Sequence, residues 1–201
     1  MANWISLLRS LLCLVAAYLL FHPTHGVYIA CFWLTIIVIW MDGLDGYIAR
    51  KFGESSKSGA VIDILGDRIV EQVYWVTFLA LGWVELWMVL LILVRGILVD
   101  GLRGMALEKG YTAFGTTTMM ESPLGKLLVA SNVSRWLYAF FKAAMFAFLI
   151  LGHTPELAST VMDPALLVGY LSMGMTLALC VVRGLPVLIE GRRFLKPIAS
   201  T

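Results

Sequence analysis

Breaks in hydropathy divide this 201-residue chain into six apolar stretches, each close to the length that crosses a bilayer as a helix. They run roughly from Asn3 to Phe21, Val27 to Arg50, Ser58 to Trp83, Val84 to Met105, Gly125 to Leu151 and Ala165 to Ile189. Lipid offers no partner to an unpaired backbone group, and no ten-residue alternation marks a barrel, so the stretches are expected to be helices. Sixty per cent of the residues are hydrophobic and 14% charged, far from the balance of a soluble domain. The expected fold is therefore all-α: an integral membrane bundle of about six transmembrane helices, with residues 1–201 forming one domain. No small-residue cleavage site follows the first stretch, only His22-Pro23-Thr24-His25-Gly26, so it is expected to be a retained helix.

Charge supplies orientation. The connections after the first, third and fifth stretches carry no Lys or Arg, whereas Arg50, Lys51, Lys57, Lys109, Arg192, Arg193 and Lys196 lie on the other side. The positive-inside rule then puts both termini in the cytoplasm, for a multi-pass protein of a bacterial inner membrane. A net charge of +2 with no basic stripe excludes a nucleic-acid partner. Cys13, Cys31 and Cys180 are too dispersed for a zinc site or a disulfide framework. Trp83 and Trp87 read as an interfacial belt, and His22, His25 and His153 as surface residues on the side without Lys or Arg. Glycines 169 and 174 are one residue too far apart for a close-packing dimer motif.

Four of the thirteen acids, Asp42, Asp45, Asp63 and Asp67, fall at the cytoplasmic end of the second stretch and the start of the third. A charge at the centre of a bilayer helix costs about 2.5–3.5 kcal/mol on the lenient scale. Spacings of three and four put each pair on one helical face, and the short connection makes the two helices antiparallel neighbours. Converging carboxylates repel unless cations neutralise them. An oxygen-only set selects a hard ion, Mg²⁺ or Mn²⁺, and two such ions side by side recur in phosphoryl chemistry. Gly43, Gly46 and Gly59 would let a bulky ligand approach, and Arg50 is placed to meet a phosphate. The cavity is expected to be polar and to face the cytoplasm.

Residues 42–67 read Asp-Gly-Leu-Asp-Gly-Tyr-Ile-Ala-Arg, eight residues, then Gly-Ala-Val-Ile-Asp-Ile-Leu-Gly-Asp. This resembles the CDP-alcohol phosphatidyltransferase signature, D-x2-D-G-x2-A-R-x8-G-x3-D-x3-D, at all eight fixed positions. Asn3, Ser6 and Arg9 resemble the segment that often opens these enzymes. The resemblance implies that Asp42, Asp45, Asp63 and Asp67 hold two divalent metals and that Asp67 is the catalytic base. It implies that Gly46, Ala49, Arg50, Ser56, Gly59 and Asn3 surround CDP-diacylglycerol. The implied reaction is attack by an alcohol on the phosphorus nearest the lipid, with CMP leaving, and the resemblance also implies a homodimer.

The run from Arg95 to Arg103 and the segment Pro123-Leu124-Gly125-Lys126 resemble stretches of bacterial phosphatidylglycerophosphate synthases, which use glycerol 3-phosphate. Gly96 departs from their usual Glu, and Ile64-Leu65-Gly66 from their Pro-Leu-Ala. Arg95, Arg103 and Lys126 are the expected acceptor-binding cations, with Arg135 and Lys142 nearby in sequence. Inositol phosphate would use the same charges, and serine or another alcohol fewer. A divalent-cation transporter is the alternative from another class, but it would need polar residues on both sides of the bilayer. Glu71 is expected to orient Arg68 or Arg95 rather than touch metal.

Overall fold

A computed structural model describes residues 2–51, 57–112 and 118–195, and the side chains of residues 4–41, 64–112 and 118–195. Among these the regular structure is helical, apart from one bridge between Thr112 and Thr118. The helices are α1 (Ala2–Leu19), α2 (His25–Lys51), α3 (Lys57–Ala80), α4 (Leu86–Glu108), the single turn α5 (Pro123–Gly125), α6 (Asn132–Gly152) and α7 (Ser159–Gly191). A π-turn, Lys126–Ala130, follows α5, and a 3₁₀ turn, Arg192–Leu195, follows α7. Among the described residues two helices are long and apolar enough to cross a membrane: α6, and α7 with its terminal turn. The stretches Trp4–Leu19 and His25–Met41 are shorter apolar helices.

Glycine sets two of the helix ends. Gly82 and Gly110 have φ of +75° and +83°, the left-handed conformation that side chains resist. At the end of α3, Trp83 N–H bonds to Phe78 O at 2.8 Å and Gly82 N–H to Leu79 O at 3.0 Å. Tyr111 and Gly110 repeat the pattern at the end of α4, on Ala106 and Leu107. Each is a paired C-terminal cap that satisfies carbonyls left over by the helix. Trp83 also folds back on Phe78, ring centroids 5.0 Å apart, supplying the apolar contact such caps carry.

The fifth apolar stretch is not one helix. It breaks at Ser131, whose backbone is extended, at φ −70° and ψ 142°. Its hydroxyl accepts the N–H of Ser134 at 3.2 Å, capping α6. Lys126 therefore sits on the separate turn before α6 rather than on the span. The sixth stretch begins earlier than its sequence pattern indicates, at Ser159 rather than Ala165. Pro164 falls in the second turn, where one lost hydrogen bond leaves the rest of the helix intact.

The chain divides into two compact units. Unit 1 comprises Met1–Val89 and Ala143–Ser172. There α1 packs on α2 and α3 through Cys13, Ala16 and Ala17, small residues at helical spacing that let backbones come close. Cys13 and Cys31 are wholly buried, so they are core residues. Tyr74 stacks on Phe146 at 4.7 Å and its hydroxyl meets Thr35 Oγ1 at 2.8 Å. Gly152 and Gly169 let α6 and α7 touch: a Cβ on either would stand about 3 Å from backbone nitrogen of Leu166 or Leu149. Unit 2 comprises Leu90–Lys142 and Met173–Thr201. Its core joins Val99, Leu102 and Ala106 of α4 to Met119, Met120, Val129, Val187 and Phe194.

Candidate functional site

The acidic motif sits on α2 and α3 in unit 1. Both helices are continuous in backbone through it, so Asp42 and Asp45 share a turn of α2, and Asp63 and Asp67 are one turn apart on α3. The side chains of Asn3, Asp42, Asp45, Gly46, Ala49, Arg50, Gly59 and Asp63 lie outside the described residues, as does Ser56 entirely. Asp67 is described. Its side chain is 48% exposed, and Oδ1 pairs with Nη1 of Arg9 on α1 at 3.0 Å.

Arg9 reaches that carboxylate through a gap left by glycine. It is 1% exposed, and a Cβ on Gly66 would stand 3.0 Å from its Nη2. A buried guanidinium is tolerated when an opposite charge faces it, and Asp67 supplies one. The pairing turns the Asp67 carboxylate toward α1 while leaving it accessible. One residue further on, Arg68 Nη1 meets Glu71 Oε2 at 2.6 Å, with Glu71 buried. Glu71 thus partners Arg68, one of the two arginines expected for it.

Unit 2 gathers cations around one tyrosine. Arg95 of α4, Lys142 of α6 and Arg183 of α7 lie 5.8, 5.6 and 5.5 Å from the centroid of the Tyr138 ring. Arg95 and Arg183 are 8% and 6% exposed. Arg183 Nη1 donates to Ser134 O at 2.6 Å, and the Nε of both arginines lacks a hydrogen-bond partner among the described residues. Ring faces attract cations, by about 2 kcal/mol or somewhat more when desolvated, against the several kcal/mol that burying an ion costs. Gly184 makes room for Arg95: a Cβ there would stand 2.9 Å from its Cγ.

Of the expected acceptor cations, Arg95 belongs to this cluster, together with Lys142. Arg103 lies about two turns further along α4, half-buried. Lys126 is exposed on the π-turn. Arg183 and Tyr138 are additions from the structure. Ser134, Tyr138 and Lys142 follow at intervals of four along α6, a spacing that puts them on one face of the helix.

On unit 1, His22 and His25 are exposed as expected, but His153 is not a plain surface residue. It is half-buried and stacked on Trp83, with centroids 4.1 Å apart and planes 13° off parallel. Nδ1 donates to Leu149 O at 2.8 Å. Burial lowers its pKa below the ordinary imidazole value, against the opposing pull of that hydrogen bond.

A family model for CDP-alcohol phosphatidyltransferase matches residues 1–182. Three similar relatives are named CDP-diacylglycerol–glycerol-3-phosphate 3-phosphatidyltransferase. That of Treponema pallidum is 32% identical over 126 residues, 63% of this chain and 56% of that protein. That of Mycoplasma pneumoniae is 34% identical over 76 residues, 38% of this chain and 34% of that protein. That of Pseudomonas fluorescens is 33% identical over 116 residues, 56% of this chain and 59% of that protein. The matched stretches thus span between 34% and 59% of those relatives' length.

Proposed function

Since the chain belongs to the CDP-alcohol phosphatidyltransferase family, we propose that it transfers a phosphatidyl group from CDP-diacylglycerol to glycerol 3-phosphate, releasing CMP. The observation that carries the acceptor assignment is the buried pair Arg95 and Arg183 against Tyr138, with no carboxylate partner for either among the described residues. The names of the relatives point the same way.

The donor set of Asp42, Asp45, Asp63 and Asp67 is oxygen-only and suits two hard divalent cations, Mg²⁺ or Mn²⁺. The accessible carboxylate of Asp67, already turned by Arg9, fits that role. Bound there, the ions would neutralise the diphosphate and stabilise the leaving oxygen. Gly46, Ala49, Arg50, Ser56, Gly59 and Asn3 hold the nucleotide end of CDP-diacylglycerol. Arg95, Arg103, Lys126, Arg183 and Lys142 hold the phosphate of the acceptor. Asp67 takes the proton from the acceptor hydroxyl as its oxygen bonds to the phosphorus nearest the lipid. The diphosphate P–O bond breaks and CMP leaves with the electron pair. A lipid electrophile and a water-soluble nucleophile meet naturally in a cavity at the cytoplasmic boundary of a multi-pass, six-span bundle, which we place in a bacterial inner membrane and read as a homodimer.

A panel of acceptors with labelled CDP-diacylglycerol and purified protein tests this reading. Glycerol 3-phosphate should drive CMP release in the presence of Mg²⁺ or Mn²⁺, and chelation should stop it. Preference for inositol phosphate or serine would move the acceptor. Absence of CMP release with every acceptor would remove the enzymatic reading.

A further inference from the structure

The turn that carries Lys126 has no helix of its own to hold it in place. Ser131 breaks the chain before α6, and only the short α5 and the π-turn lie between Ser122 and that break. What holds the segment is the end of α7. Glu190 Oε2 accepts the backbone N–H of Glu121 at 2.6 Å and, at greater length, that of Ser122 at 3.4 Å. Its other oxygen, Oε1, takes the Ser122 hydroxyl. Ser122 Oγ in turn accepts the Gly125 N–H at 2.9 Å. One carboxylate therefore fixes both the entry to α5 and, through Ser122, its last residue. Gly125 leaves room for the approach: a Cβ there would stand 2.5 Å from Glu190 Oε1, and the carboxylate would have to move. Arg193 clasps the same segment from the terminal turn, donating to Met119 O at 2.8 Å and pairing with Glu121.

We propose that Glu190 is a positioning residue, setting where Lys126 presents its ammonium to the phosphate of the acceptor. The inference rests on the role given to Lys126 above. Lysine is a point charge on a flexible stem, so its usefulness depends on where the backbone beneath it is anchored. The Glu190 carboxylate is engaged by three donors of the turn, an arrangement that orders the segment rather than offering a further ligand. Glu190 and Arg193 lie beyond residues 1–182, which the family model matches.

The test compares E190A, E190Q, K126A and the double variant K126A/E190Q, measuring kcat and KM for glycerol 3-phosphate and for CDP-diacylglycerol. E190A should raise the acceptor KM about tenfold, as expected for loss of charge-assisted hydrogen bonds. E190Q, which keeps one acceptor oxygen, should have a smaller effect. The lipid KM and kcat should stay within about twofold in both. In the K126A background, E190Q should add nothing, because the two residues act through one contact. If E190A does not fold, E190Q and G125A carry the same test. An E190Q effect that persists without Lys126, equal losses in kcat and both KM values, or no effect would each overturn the proposal. An unchanged acceptor KM in K126A removes the reading of Lys126 itself, whereas a K126A effect with a silent Glu190 removes only the clasp.

Discussion

The two units handle buried charge in opposite ways. In unit 1 the described buried charges meet their opposites: Arg9 faces Asp67, and Glu71 faces Arg68. In unit 2, Arg95 and Arg183 rest on the Tyr138 ring, and Arg183 also on a backbone carbonyl. Neutralised charges fix a scaffold and hold a carboxylate in one orientation. Buried cations with no carboxylate partner among the described residues carry a desolvation cost that a bound anion would offset. Under the proposed function, Asp67 of unit 1 removes the proton and the unit 2 cations recognise a phosphorylated acceptor.

Removing the Asp67 charge gives the largest effect. D67N should cut CMP release by about 10³-fold, within the range for loss of a general base, while CDP-diacylglycerol binding, read by titration, is retained. Loss of binding together with activity would make Asp67 a structural partner of Arg9 and blur the contrast. The smallest effect belongs to His153, which is given neither role. Its lowered pKa means that the folded protein resists a proton the unfolded chain accepts. Its contribution to stability is therefore present above the ordinary value of about 6.5 and is lost as pH falls through the lowered one. Thermal unfolding in detergent should show that decline in the parent and a flatter profile in H153Q, with acceptor KM unchanged in both.

Sequence exposed the acidic motif because its chemistry is local: fixed gaps on two helices joined by a short connection. The helical class was legible for the same reason, since apolar runs of this length leave few alternatives. The cation cluster was less so. Arg183 is a single charge inside a long apolar run, with no partner at helical spacing to mark it, and only tertiary packing brings it to Tyr138. The break at Ser131 escaped because a serine cap interrupts a helix without interrupting hydropathy. Pairing of Arg9 with Asp67 depends on the crossing of α1 and α3, and on the missing side chain of Gly66. No periodicity within either helix encodes it.

The central claim is that the cations around Tyr138 recognise the phosphate of the acceptor. Rates of CMP release with glycerol 3-phosphate and with unphosphorylated glycerol, measured in the parent protein and in R183A, test it most directly. The account predicts that the parent prefers the phosphorylated acceptor in kcat/KM and that R183A loses about a hundredfold of that preference, roughly two charge-assisted hydrogen bonds' worth. Equal loss with both acceptors would show that Arg183 holds the fold and not the phosphate.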